Sequence, residues 1–76
     1  MKSALAAFDS THQAMEARRL LEGRVPFTVM PTPRSITAAC GIALRFEETA
    51  LAQVGALLAD FDARCFLQEE QGWKEL

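Results

Sequence analysis

Cys40 is followed directly by Gly41, and a thiol beside a residue without a side chain is one that a second molecule can approach closely. The thiolate, not the thiol, is the nucleophilic and atom-accepting form of cysteine, so the chemistry available at Cys40 depends on what stabilises a negative charge there. Candidates for that task are Ser10, Thr11 and His12, which open a predicted helix, and Arg34, which lies in the segment leading to the cysteine. Gln13, three residues after Ser10, completes a capping-box pattern in which both side chains satisfy free amides of the first helical turn. His12 can act as an acid, a base or a surface hydrogen-bonding group, and Arg34 as an anion binder or a donor that closes its loop. Cys65 reads differently: it alternates with Leu67, as a core-facing strand residue does. For Cys40 the plain alternative is a small apolar residue packed at the start of a strand.

Other chemistries lack their residues. There is no Cys-x-x-Cys pair, no Cys/His ligand quartet and no phosphate-binding glycine loop, so the sequence implies neither a metal nor a cofactor. Two cysteines are too few for a disulfide scaffold, and the topology derived below sets them two strands apart, so Cys40 and Cys65 are expected to remain thiols.

The elements that must position these groups follow from periodicity. Ala4 to Phe8 is a short apolar run stopped by Asp9 and Ser10, the pattern of a central strand. A helix is predicted from Thr11 to Glu22, with Ala14, Ala17, Leu20 and Leu21 as its buried stripe and Gly23 as its stop. Phe27 to Met30, bracketed by Pro26 and Pro31, is a short second strand, and Ile42 to Phe46 a third. Pro31 to Gly41 is a long connection for a hairpin, and Pro33 after Thr32 suits the start of a short helix running toward Ala39. Leu51, Val54, Leu57, Leu58 and Phe61 recur at helical spacing behind Glu47 and Glu48, with Gly55 as a candidate close-packing site. Arg64 to Gln68 forms a last strand, and residues 69–76 read as a flexible tail.

The order βαββαβ predicts an α+β, ferredoxin-like domain: a four-stranded antiparallel sheet in the order 4-1-3-2 with both helices on one face. Its core is expected to include Leu20, Leu44, Leu51, Val54 and Leu58. In this topology residues 9–12 and 31–41 meet at one edge, and Cys40 falls beside the N-terminus of the first helix. Free amides and the positive end of the helix dipole there favour a thiolate or a persulfide, so Cys40 is expected to be the more reactive of the two thiols. A helix ending at Ala39 would oppose them with its negative end.

Phe8-Asp-Ser-Thr-His-Gln-Ala14, Pro31-Thr-Pro-Arg34 and Cys40-Gly-Ile-Ala-Leu-Arg-Phe46 resemble the signature of the Se/S carrier protein-like family, over nearly the whole chain. The resemblance implies a carrier rather than a turnover enzyme, with Cys40 holding sulfur or selenium as a persulfide or its selenium counterpart. Its partners would be donor and acceptor proteins.

The second reading is a thiol-independent module whose edge of residues 9–12 and 31–41 binds an anion or a protein while Cys40 only packs. Size and charge bound both readings. Seventy-six residues make one domain, and a formal net charge of −2 gives no broad attraction for nucleic acid. The apolar start is too short for a membrane span or a secretory h-region, which places the expected compartment in the cytoplasm. A bare sheet face would invite homodimerisation or an anchor such as Trp73, and Arg45, far along the third strand, belongs to that face or an interface.

Overall fold

The structure is a computed structural model that describes residues 2–76. Its elements are β1 (Ser3–Ala7), α1 (Thr11–Leu21), β2 (Thr28–Pro31), β3 (Ile42–Glu47), a 3-10 turn (Glu48–Ala50), α2 (Leu51–Leu57), β4 (Arg64–Glu69) and β5 (Gly72–Glu75). The sheet runs β2-β3-β1-β4-β5, and every neighbouring pair is antiparallel.

From Ala4 onward β1 is apolar, because it is covered on both faces. Ala4, Ala6 and Phe8 pack with Ala14, Ala17 and Leu21 of α1, with Val54 of α2 and with Leu58 at its C-cap, so the two helices share one face. Leu5 and Ala7 point to the other face, where they meet Ala43, Phe66 and Ile36. The alanines at β1 and α1 let the helix approach closely, and burying Phe8, Leu21, Leu44 and Val54 contributes about 1.5–3 kcal/mol each. Of the expected core, Leu44, Val54 and Leu58 are buried, and Leu20 and Leu51 are half-buried against it.

Helix α1 starts and stops where its sequence dictates. Ser10 is its N-cap, in extended conformation, and its hydroxyl accepts from the Gln13 amide at 3.1 Å. The reciprocal half of the capping box is not made, since Gln13 Oε1 is buried without a partner. Gly23, at φ +77°, takes the left-handed position after the helix.

Three expectations are corrected. The sheet has five strands instead of four: Gly72–Glu75 folds back on β4, pairing Gln68 with Trp73 and Phe66 with Glu75, so residues 69–76 are no flexible tail. A glycine at φ +133° allows that tight return, and Trp73 gains burial against the Phe66 cluster. Residues 33–39 form no helix; a single turn closes with Ile36 N donating to Pro33 O at 3.0 Å, after which the segment crosses the sheet. Burying Ile36 on the sheet outweighs the few local bonds that a helix of this length would make. Gly55 marks no close packing either, because a Cβ there would meet nothing within 4 Å.

Candidate functional site

Cys40 lies where three elements meet. Its backbone N–H donates to Phe8 O at 3.2 Å, a bond that lies just past the end of β1 and outside the β1–β3 register. Its carbonyl accepts from Thr32 Oγ1 at 3.0 Å, while Thr32 N donates to Gly41 O at 3.0 Å. These two bonds close the base of the 32–41 loop and prolong the β2–β3 ladder. The thiol then reaches the start of α1, where Sγ contacts Thr11 Oγ1 at 3.9 Å. That is a long, weak sulfur hydrogen bond, but it fixes the sulfur beside the first helical turn, where the dipole is positive.

Because residues 33–39 are not helical, no opposing dipole ends at Cys40. The side chain is only 2% exposed, packed in the helix-side core, whereas Cys65 is half-buried. The expectation that Cys40 is the more reactive thiol therefore meets a closed site: solvent reaches Cys65 first, and the sulfur of Cys40 needs local opening. Both cysteines are free, and burial pushes the Cys65 thiol up from its ordinary value.

Of the residues named from sequence, Thr11 is the one whose side chain the structure brings to the sulfur. Ser10 caps the helix, and Gly41 is exposed beside Cys40. His12 and Arg34 are exposed, and among the described residues neither makes a hydrogen bond or ion pair with Cys40. Arg45 donates through Nε to Ser3 Oγ at 3.0 Å, away from the site. Sequence reasoning did not single out Phe8 as the backbone partner of Cys40, Ile36 as a buried anchor or Arg64, which donates to the Thr37 carbonyl. Ile36 carried a signal: it is the only large aliphatic residue between Pro31 and Gly41.

Residues 3–64 match the family described as Putative Se/S carrier protein-like. The chain belongs to this family. Its matched region takes in the start of α1, the 32–41 loop and Cys40, and it ends at Arg64 as β4 begins. Searches of curated proteins and of solved structures find no match for the chain.

In this member of the Se/S carrier protein-like family, the elements around Cys40 provide a hydroxyl, a helix N-terminus and a neighbouring glycine. Among the described residues, no group of three or more His, Cys, Asp and Glu side chains could hold a metal ion. No helix of the described chain is long and apolar enough to cross a membrane.

Proposed function

We propose that this protein is a sulfur or selenium carrier in which Cys40 holds the chalcogen atom as a persulfide or its selenium equivalent. The observation that carries the reading is the contact of Cys40 Sγ with Thr11 Oγ1 at the N-terminus of α1. Family membership supplies the class of cargo.

The transfer balances without an external oxidant. The Cys40 thiolate attacks the outer sulfur of a persulfide on a donor protein. The donor's sulfur–sulfur bond breaks, its thiolate leaves, and Cys40 carries the persulfide. An acceptor nucleophile later takes the outer atom and Cys40 leaves as thiolate. Selenium follows the same path from a donor carrying a selenium atom on sulfur. Ser10 caps the helix whose amides face the charge, Thr11 contacts the carrying sulfur, and Gly41 leaves room for the incoming group. His12 and Arg34 stand at the same edge as binding groups for donor or acceptor. The role is that of a carrier between partner proteins in a reducing compartment, the cytoplasm, with no nucleic acid or membrane involved.

The test is mass spectrometry of protein purified under thiol-preserving conditions and after incubation with a persulfide donor. A mass increase of one sulfur or selenium atom at Cys40, absent in Cys40→Ser, is the expected result; unmodified Cys40 under all loading conditions overturns it.

The burial of Cys40 favours a second reading, in which residues 9–12 and 31–41 form an anion- or protein-binding edge and the thiol only packs. Under that reading Cys40→Ala keeps its binding partners, and the carrier reading predicts that functional transfer is lost.

A further inference from the structure

Arg45 stands about five residues along the chain from Cys40, roughly 17 Å at strand rise, and takes no part in the chemistry proposed for the thiol. It lines a separate cleft of about 490 Å³ at the other end of the sheet, where β1 begins and β3 ends. That volume falls within the range of small-molecule sites, about 300–1,000 Å³. Strand alternation sets the polar lining. Arg45 and Glu47, two residues apart on β3, share the face to which Ala43 belongs, and Thr28 of β2 and Ser3 of β1 are their partners in register. Lys2 precedes Ser3, and its carbonyl accepts from the Glu48 amide at 3.1 Å, which holds its backbone at the same end. Pro26 adds an apolar wall.

Two cations, Lys2 and Arg45, and one anion, Glu47, thus line a single cleft, and all three are exposed. Among the described residues they form no ion pair, with one another or with any other group. Arg45 is nevertheless held: its Nε donates to Ser3 Oγ at 3.0 Å, and the Nη donors have no partner among the described residues. Those donors form the fork that takes both oxygens of a carboxylate. Glu47 disfavours a phosphate or any polyanion, because it would set like charge beside its own carboxylate. A ligand that uses all three groups needs a negative and a positive end a short distance apart. Glu47 follows Arg45 by about 7 Å along the strand, near enough for one small molecule to meet both. A carboxylate and an ammonium on the same carbon have that form.

We propose that this cleft binds the zwitterion of a free α-amino acid, with its carboxylate on Arg45 and Lys2 and its ammonium on Glu47. The Thr28 hydroxyl, in register with Arg45, is a further donor for the carboxylate. The site goes beyond the carrier reading and is independent of it, since it needs no chemistry at sulfur. Because the charges are exposed, each pair adds little, and binding in the millimolar range is expected.

The experiment is an amide NMR titration of the full chain at neutral pH with four probes: L-alanine, N-acetyl-L-alanine, which lacks the ammonium, L-alanine amide, which lacks the carboxylate, and inorganic phosphate. L-Alanine is expected to shift the amides of residues 2–3, 28 and 45–47 saturably. The two single-charge probes should bind at least about twofold more weakly, the factor supplied by one exposed ion pair. Arg45→Gln should weaken L-alanine by about fivefold or more, and Arg45→Lys, which keeps the charge and loses the fork, should recover only part of that. Glu47→Gln tells a zwitterion site from a plain anion site: it should weaken L-alanine about two- to fivefold and tighten N-acetyl-L-alanine. Shifts that do not saturate, or that scatter away from the cleft, overturn the proposal. So does N-acetyl-L-alanine or phosphate binding as tightly as L-alanine, which would make the cleft a simple anion site. The comparison of probes on wild type decides these outcomes even where a variant folds poorly.

Discussion

The amide of Cys40 donates to the carbonyl of Phe8 at 3.2 Å, so the cysteine is tied to the buried residue that follows the central strand before the chain turns into α1. This bond explains how the thiol is set without a rigid element of its own. The backbone of Cys40 is held from one side by Phe8 and from the other by Thr32, and the side chain is left to meet Thr11.

Thr32→Val removes the hydroxyl that donates to the Cys40 carbonyl and keeps the Thr32 amide bond to Gly41. The expected loss of stability is about 1 kcal/mol, the net worth of one such bond plus the cost of a partly buried carbonyl left without it. Urea midpoints of wild type and variant measure it. An unchanged midpoint would show that water replaces the hydroxyl and that Thr32 does not set Cys40.

Helix chemistry gives a prediction of opposite sign at two glycines. Gly55 sits inside α2 with ordinary backbone angles, and a Cβ there meets nothing within 4 Å. Gly55→Ala should stabilise by about 0.5–1 kcal/mol through lower entropy of the unfolded chain and better helix propensity. Gly23 stands at φ +77°, and Gly23→Ala should cost about 1 kcal/mol because the left-handed conformation strains a Cβ. Thermal midpoints that move in the same direction would contradict the backbone argument.

The parts of the fold that were legible in the sequence are those written in periodicity and punctuation. The helical spacing of Ala14, Ala17 and Leu21 placed α1, Ser10 and Gly23 bounded it, and β1 between β3 and β4 brought Thr11 at the start of α1 to Cys40. What was not legible depends on burial by distant residues. Thr32-Pro33 reads locally as a helix start, but Ile36 gains more by packing with Leu5, Ala7, Ala43 and Phe66 than a short helix could return. Gly72 and Trp73 read as a tail because four residues make no strand alone; they become one by pairing with β4 and packing near Phe66. The burial of Cys40 was hidden for the same reason, since it needs Phe8, Thr11 and the loop assembled together.

Cys65 introduces an alkaline dependence of stability. Burial raises its thiol above the ordinary value, so below that value folded and unfolded chains both carry the neutral form and its contribution is fully present. As pH rises past the ordinary value, the unfolded chain ionises first and binds fewer protons than the folded one. Stability therefore falls with pH until the raised folded value is passed. Urea midpoints compared at pH about 7 and about 10, a range that spans the ordinary thiol value, should fall more steeply for wild type than for Cys65→Ala. Equal slopes would mean that Cys65 has the same affinity for protons in both states.

Gly41 separates the fold from the transfer chemistry. It is exposed, is not among the glycines at positive φ, and an added Cβ would meet nothing within 4 Å. Gly41→Ala should therefore fold with a midpoint within about 1 kcal/mol of wild type, gaining slightly if anything from reduced chain entropy. Gly41→Val puts a branched side chain at the exposed position next to Cys40 and keeps the backbone groups of residues 40 and 41 that bond Thr32. Sulfur uptake from a protein-sized persulfide donor should then slow by about tenfold or more, because displacing the reacting atoms by an ångström is enough for that effect. Uptake from inorganic polysulfide, a small linear sulfur donor whose S–S bond the thiolate breaks, should change far less. Persulfide formation at Cys40 followed over time with both donors measures the two rates. Equal slowing with both donors would place the restriction in local opening of the buried Cys40, not in docking at Gly41, and unchanged rates with both would remove Gly41 from the path to the sulfur.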